Sequence, residues 1–178
     1  MNKPNTLEEI LEDSAQAFSE LAEHLKRISE DHFFQKPANG KWSIAQHLQH
    51  LIIATRTATA AYILPKFLVR LIGGNPNRPS RSYDELVQKY LNKLQQGGRA
   101  SGRYIPKPIP STTGKLIMMA QWQKVTGNYM KAVRQNWTDK KLDHYAVRHP
   151  LLGKITLREL CYFNIYHTRH HHKNINHL

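Results

Sequence analysis

The histidines near the end of the chain have the spacing that points most directly to chemistry. His167 and His171 lie four positions apart in a segment with helical periodicity. At 3.6 residues per turn, side chains four positions apart stand one above the other on the same face of a helix. The two imidazoles could therefore bind one metal ion, as the paired histidines of zinc peptidase helices do. Thr168 stands where those peptidases carry a glutamate base, so peptidase chemistry is not indicated.

The crowding of histidines at this end leaves a second interpretation open. His170 and His172 stand beside the spaced pair, so some pair with this spacing would arise by chance. A solvent-exposed, histidine-rich tail binds metal without a defined function. The spacing alone does not distinguish a built site from such a tail.

A second pair of histidines lies in a segment that should form a core helix. His47 and His50 occur in the amphipathic run WSIAQHLQHLIIA, residues 42–54. A polar ring that faces a core must find a partner there, and a metal ion is one such partner. A hydroxyl or a backbone carbonyl is the more common one. The spacing slightly favours a neighbouring helix face for His47, which is either an outer partner of the site or an outward-facing residue.

Helix-start signals place these histidines on separate helices. Four segments carry a capping box, in which a Ser or Thr N-cap is followed three residues later by Glu or Gln. The second predicted helix should end near Leu64, because Pro65 disfavours helical geometry at the residue before it. A further amphipathic run from about Gly114 to Asn136 predicts a helix without such a box. The four boxes are Thr6 with Glu9, Ser43 with Gln46, Ser82 with Glu85, and Thr156 with Glu159.

These elements predict an all-α fold in which four long helices form a bundle. The helix that begins at Ser82 is short, and it lies in a basic insertion from Arg70 to Gly102. The segment from Gly97 to Gly114 is rich in glycine and proline, which predicts a long crossover connection without regular structure. No strand-period segment of useful length appears. We expect one domain over residues 1–178: a four-helix bundle with a long crossover connection and a short additional helix.

Composition favours a cytoplasmic protein without membrane insertion. Cys161 is the single cysteine, so no intramolecular disulfide forms, and the first ten residues lack the apolar stretch of a secretory signal. The most apolar segment, from Leu51 to Ile72, is interrupted by charged residues and a proline. The net charge of +13 would attract polyanions such as nucleic acid. Because the basic residues are spread along the chain without a recognised nucleic-acid motif, a solvated basic surface is the favoured interpretation.

Two separated segments carry patterns that occur together in a known family. The first is WSIAQHLQHL, residues 42–51, with Trp-Ser at the start of a helix and a histidine eight residues after the tryptophan. The second is HPLLGKIT, residues 149–156, which leads into an H-x-x-x-H pair on the last helix. Together they resemble the motifs of the DinB-like superfamily. These proteins are metal-binding four-helix bundles that include the YfiT-like proteins and several low-molecular-weight-thiol-dependent enzymes. The sequence departs from the family pattern at Asn174, where glutamine is common, and in the basic insertion.

The resemblance implies one divalent metal ion held by His50 on one helix and by His167 and His171 on another. His170 and His172 would point to other faces of that helix. Imidazole ligands suit several transition metals, of which zinc or nickel is expected. With an open coordination position, the site could activate water to hydrolyse a small-molecule substrate. It could instead bind a low-molecular-weight thiol for an S-transfer reaction.

Other interpretations stay open beside this one. A non-enzymatic basic bundle with a vestigial metal site could bind nucleic acid or another polyanion. The apolar face of the first or third helix could form a homodimer, which is compatible with either function. Glu159 is interpreted as a capping residue, and Asn164 as a residue that binds water or merely packs. Trp42 could line a pocket, but an aromatic at the end of a bundle is more often core, so it is assigned neither role.

Overall fold

The computed structural model of the protein describes residues 4–37 and 40–178. Residues 1–3, on which part of the prediction about the N-terminus rests, lie outside the described residues. The described elements are α1 Leu7–Arg27, α2 Glu30–Phe34, α3 Ile44–Ile63, α4 Lys66–Gly73, α5 Tyr83–Gln95, α6 Lys115–Asn136, α7 Asp139–Asp143, β1 Ala146–His149, β2 Gly153–Thr156 and α8 Leu157–Ile175.

The predicted helix starts are confirmed at all four capping boxes. At Thr6, Ser43, Ser82 and Thr156 the side-chain oxygen accepts a hydrogen bond from the backbone N–H three residues on. The Glu or Gln at that third position accepts a hydrogen bond from the N-cap backbone in return. Such a cap stabilises a helix by about 0.5–2 kcal/mol. Local sequence therefore fixes where α3 and α8, which carry the histidines, begin.

Pro65 ends α3 at the predicted place and turns the chain. α3 stops at Ile63, and α4 begins at Lys66 after a bend of 117°. Across the described ranges, no single helix is long and apolar enough to cross a membrane. The bend directs α4 toward β1, against which it packs.

The four long helices α1, α3, α6 and α8 surround the hydrophobic core. α1 and α3 each pack against both α6 and α8. Leu21, Tyr62, Trp122 and Tyr162 contribute one large buried side chain from each of these helices. The predicted all-α class is confirmed. The finer prediction of a four-helix bundle stays a prediction, which these pairings support.

A short antiparallel hairpin joins α7 to α8, so the expectation that the chain has no strand is wrong at this point. β1 and β2 pair from Ala146 with Thr156 to His149 with Gly153. Strands of four residues are too short to show a period-of-two pattern in the sequence. Gly153 adopts a φ of 71°, which a glycine accommodates without strain. The hairpin leads directly into the cap of α8.

The segment between α5 and α6 is mostly irregular, as predicted, but contains two short 3₁₀ turns. They span Gly102–Tyr104 and Ser111–Thr113. The first turn packs against α3. The crossover therefore covers the helix that carries His50.

The basic insertion is attached to the start of α8 through a buried carboxylate. The side chain of Glu159 is fully buried and lies 2.9 Å from the guanidinium of Arg78 and 3.1 Å from that of Arg81. It also accepts the backbone N–H of Thr156 at 2.8 Å, so its predicted capping role is confirmed. α5 packs along α8. The insertion is thus part of the structure that surrounds the α8 histidines.

The close approach of α4 to β1 gives a test of the fold. A Cβ added at Gly73 would lie 1.8 Å from the carbonyl oxygen of Ala146. We expect Gly73→Ala to destabilise the protein by about 1–3 kcal/mol. The new methyl group would overlap the backbone of β1, and the overlap is relieved only if α4 and β1 move apart. Thermal unfolding measures this loss.

Gly127 is the matched control for that substitution. It lies in the interior of α6, and a Cβ there meets nothing within 4 Å. Gly127→Ala should stabilise the protein by about 0.5–1 kcal/mol, since alanine costs less backbone entropy in a helix. An unchanged melting temperature for Gly73→Ala would contradict the described packing of α4.

Candidate metal centre

The structure brings the three predicted histidines together at the contact between α3 and α8. His50 Nε2 lies 3.0 Å from His167 Nε2, which lies 3.1 Å from His171 Nε2. One ring nitrogen from each residue falls within 4.8 Å of the other two. All three side chains are buried, with 4–6% of each residue exposed. They do not form the solvent-exposed tail that the sequence left as an alternative.

A backbone carbonyl from the crossover fixes the orientation of His50. Its Nδ1 lies 2.7 Å from the carbonyl oxygen of Tyr104. A carbonyl only accepts, so Nδ1 carries the proton and Nε2 presents its lone pair to the other two histidines. This is the usual outer contact of a metal-binding histidine. Because the contact uses a backbone atom, no residue type in the crossover could have indicated it.

His47 contacts the same cluster, although the spacing favoured a neighbouring face. Its Nδ1 lies 2.8 Å from Nδ1 of His171, and only 8% of the residue is exposed. If His171 donates through Nδ1, its Nε2 lone pair is free to face the centre. His47 is therefore the outer partner of His171, as Tyr104 is of His50.

Burial keeps these imidazoles uncharged at neutral pH. Desolvation, reinforced by the neighbouring His50, lowers the pKa of His167 well below the ordinary 6.5. Desolvation, followed by the proximity of His167, does the same to the pKa of His171. The pKa of His50 is lowered by burial against the opposing effect of its hydrogen bond to Tyr104, and burial lowers the pKa of His47 to about 4. Neutral imidazole is the form that binds a metal.

The three histidines fit a divalent metal ion. A proton on His167 cannot form good hydrogen bonds to both of its close neighbours, so a neutral cluster leaves one short nitrogen contact unsatisfied. A cation among the three lone pairs satisfies them all. Zinc–nitrogen bonds of about 2.0–2.1 Å in a tetrahedral arrangement separate the nitrogens by about 3.3 Å. The separations of 3.0 Å between His50 and His167 and of 3.1 Å between His167 and His171 are close to that value, and the third pair lies within 4.8 Å.

The cluster lies in the wall of a large cavity of about 1020 Å³. Trp42 lines this cavity, and its ring is parallel to that of His171, with centroids 6.2 Å apart. Of the two interpretations left open for Trp42, core and pocket wall, this position supports the pocket wall, which was the less favoured one. An aromatic at the start of a helix gave no signal that could separate the two.

His149 is a cavity residue whose importance the sequence analysis did not recognise. Its Nδ1 accepts the backbone N–H groups of Leu151 and Leu152, each at 3.2 Å. Burial, with a smaller effect of Lys89, lowers the pKa of His149 to about 4. The ring is therefore neutral with its proton on Nε2, and it packs edge-to-face against Phe163 on α8, with centroids 4.3 Å apart. The available signal was its place as the first residue of the HPLLGKIT segment, residues 149–156, which carries the family resemblance.

The other candidate residues lie around the cluster without joining it. His172 contacts His24 on α1, with 2.9 Å between their ring nitrogens, as expected for a different face of α8. His170 lines the cavity and contacts the side chain of Asn174 at 3.2 Å. Asn164 is buried, and its side-chain nitrogen has no hydrogen-bond partner among the described residues. A buried amide nitrogen without a partner is a position that a water molecule would satisfy, so the geometry does not favour packing over water binding.

Comparisons with known proteins agree with this fold and site. The sequence model of the DinB superfamily matches residues 14–175. No curated protein sequence matches the chain. Among solved structures, the colibactin self-resistance protein ClbS, crystallised in complex with double-stranded DNA, is similar in fold. It has a TM-score of 0.54 and 13% sequence identity, and the similarity covers 98% of this chain and 96% of ClbS.

The fold and site define a helical protein with a three-histidine cluster compatible with a divalent metal ion. The chain belongs to the DinB superfamily.

Substitution of single histidines tests whether the cluster binds metal. His50→Ala should lower metal affinity by orders of magnitude, because it removes one of three converging nitrogens. His47→Ala should lower it by about 10- to 100-fold, since it removes only the outer partner of His171. Elemental analysis of untagged, chelator-washed protein measures the metal that each variant retains.

His172→Ala is the control, because His172 belongs to the same helix but faces His24. It should retain metal like the parent protein. Equal losses in the His172 and His50 variants would indicate nonspecific binding by the histidine-rich end.

Proposed function

We propose that the protein is a metal-dependent enzyme that acts on a small molecule at the cluster of His50, His167 and His171. The observation that supports this most is the position of three neutral, converging imidazoles in the wall of a cavity large enough for a substrate. A divalent ion bound there supplies Lewis acidity, which lowers the pKa of a water or thiol that binds to it. Zinc or nickel is the ion that we expect.

The cavity favours S-transfer from a low-molecular-weight thiol over hydrolysis. Among the described residues that line it, none is Asp or Glu, so no carboxylate side chain is at hand as a general base. A thiol, with a pKa of about 8.5, needs far less assistance to lose its proton than water does. The thiolate would attack an electrophilic carbon, the new C–S bond would form as the leaving group departs with its electron pair, and the thiol proton would pass to solvent.

The chain's own side chains have separate roles in this proposal. Tyr104 and His47 orient the ligand imidazoles through the contacts described above. His149 offers its Nε2–H to the cavity as a neutral donor that would hydrogen-bond the substrate or the leaving group. Trp42 covers the cluster and limits the access of water.

A second candidate function is the binding of nucleic acid. The net charge is +13, and no Asp or Glu occurs in residues 32–83 or 86–138. ClbS was crystallised with double-stranded DNA, which supports testing the same ligand here. Binding to a DNA duplex that weakens steeply with salt, and that persists when all three cluster histidines are alanine, would favour this candidate.

Thiol transfer is tested with metal-loaded protein, an electrophilic aryl chloride and a panel of low-molecular-weight thiols. We expect turnover that depends on metal and is lost in His50→Ala. His149→Phe should keep its metal but lower kcat by about 10- to 100-fold, because one hydrogen bond to developing charge is lost.

His172→Ala serves as the control with full activity. Equal rates with and without metal, or an unaffected His50→Ala variant, would refute the proposal. Hydrolysis of aryl esters without thiol transfer would support the metal site but would show that the reaction is hydrolysis and not S-transfer.

A further inference from the structure

The cavity is much larger than a metal ion and a small thiol require. Its volume of about 1020 Å³ is just above the range of about 300–1,000 Å³ for sites that bind drug-sized ligands. The histidine cluster occupies only part of it. The rest of the lining therefore carries information about a second, larger reactant.

One face of α3 accounts for the length of the cavity. Beyond His50, the cavity-lining positions on this face include Ala54, Ala58 and Ala61. Their spacing of three and four residues places them on the face that carries His50, and the row extends about 16 Å along the helix axis. Larger side chains would fill this space, as they fill protein interiors generally. The alanine row keeps open a channel that leads away from the cluster.

The far end of this channel is apolar. Branched aliphatic side chains from the end of α3, from α4, from the hairpin and from α8 line it; those of Val69 and Leu160 are buried, whereas Leu64 and Ile72 are exposed. No carboxylate interrupts this wall in the described part of the chain. These apolar lining residues are Leu64, Val69, Ile72, Val147 and Leu160.

The charged side chains that line the described part of the cavity have one sign, and they are solvent-exposed. Lys41, Arg99, Arg103 and Arg148 line it, whereas no Asp or Glu does within the described residues. Three neutral imidazoles would also leave the charge of a divalent ion uncompensated. Both features lower the energy of an anion in the cavity, and neither favours a cation.

We propose that the larger reactant is an anionic amphiphile. Its negatively charged group is held by the cationic side chains that line the cavity. Its apolar body lies along the alanine row of α3. This inference rests on the proposed function only in that it names the substrate class of the same cavity.

Calorimetric titration of the full-length, zinc-loaded protein with straight-chain carboxylates of four to ten carbons tests the proposal. Primary alcohols of the same lengths are the uncharged comparison. We expect carboxylate affinity to rise by about fourfold with each added methylene until the apolar end is filled. Each carboxylate should bind at least about tenfold more tightly than its alcohol.

Ala61→Phe tests the position of the apolar body. It should remove the gain in affinity for the longer carboxylates and leave the shortest one unaffected. Ala15→Phe, an exposed position on α1 outside the cavity lining, is the control that adds the same apolar group. Thermal melting checks folding, and Ala61→Leu replaces the larger substitution if that one unfolds the protein.

The double variant Arg99→Glu, Arg148→Glu tests the charge. It should weaken carboxylates by about tenfold or more and leave alcohols unchanged. Lys124→Glu with Lys131→Glu changes the net charge equally at exposed positions of α6 outside the cavity lining, and it should have little effect.

Affinity that does not depend on chain length, equal binding of alcohols and carboxylates, or no binding at all would overturn the proposal. These outcomes are separate from failure of the proposed function. Metal-dependent thiol transfer without length-dependent binding would retain the function and reject the amphiphile. Length-dependent carboxylate binding without turnover would do the reverse.

Discussion

The rest of the site depends on the contact between two rows of buried imidazole on α3 and α8. Uncharged rings whose nitrogens lie 3.0–3.1 Å apart cannot satisfy one another with the protons they have. Burial keeps water away from the unsatisfied nitrogen contact. Burial also lowers the pKa values of His167 and His171 well below their ordinary range, so protonation does not supply the missing hydrogen bond at neutral pH. A divalent cation bound by the three imidazole lone pairs would satisfy all of them at once. The fold therefore brings together groups that are costly to bury unless they share a ligand.

The scaffold around this contact is built so that the imidazoles keep their orientation. Capping boxes at Ser43 and Thr156 set the starts of the two helices, and outer contacts from Tyr104 and His47 set the rings themselves. Glu159 joins the basic insertion to the first turn of α8 through Arg78 and Arg81. Elements that are distant in the sequence thus converge on one helix. This is the arrangement that a preorganised metal site requires.

Local sequence signals predicted the parts of the structure that local physics determines. The starts of α1, α3, α5 and α8 follow from capping boxes, and the end of α3 follows from Pro65, so these were predictable within a residue or two. The association of His50 with His167 and His171 was predictable from the family motifs and not from spacing alone, and their role as ligands stays a prediction. The inward position of His47, the wall position of Trp42 and the carbonyl of Tyr104 depend on how the crossover and α8 pack against α3. No local pattern records that packing. The short strands at Ala146–His149 and Gly153–Thr156 were missed because four residues do not show a periodicity.

X-ray absorption spectroscopy of the untagged protein loaded with one equivalent of zinc tests the central claim most directly. Three imidazole nitrogens at about 2.0–2.1 Å, with one further light-atom ligand, are the result that the proposed centre predicts. A spectrum with fewer than three imidazoles, or with a six-coordinate shell made mostly of oxygen, would contradict it.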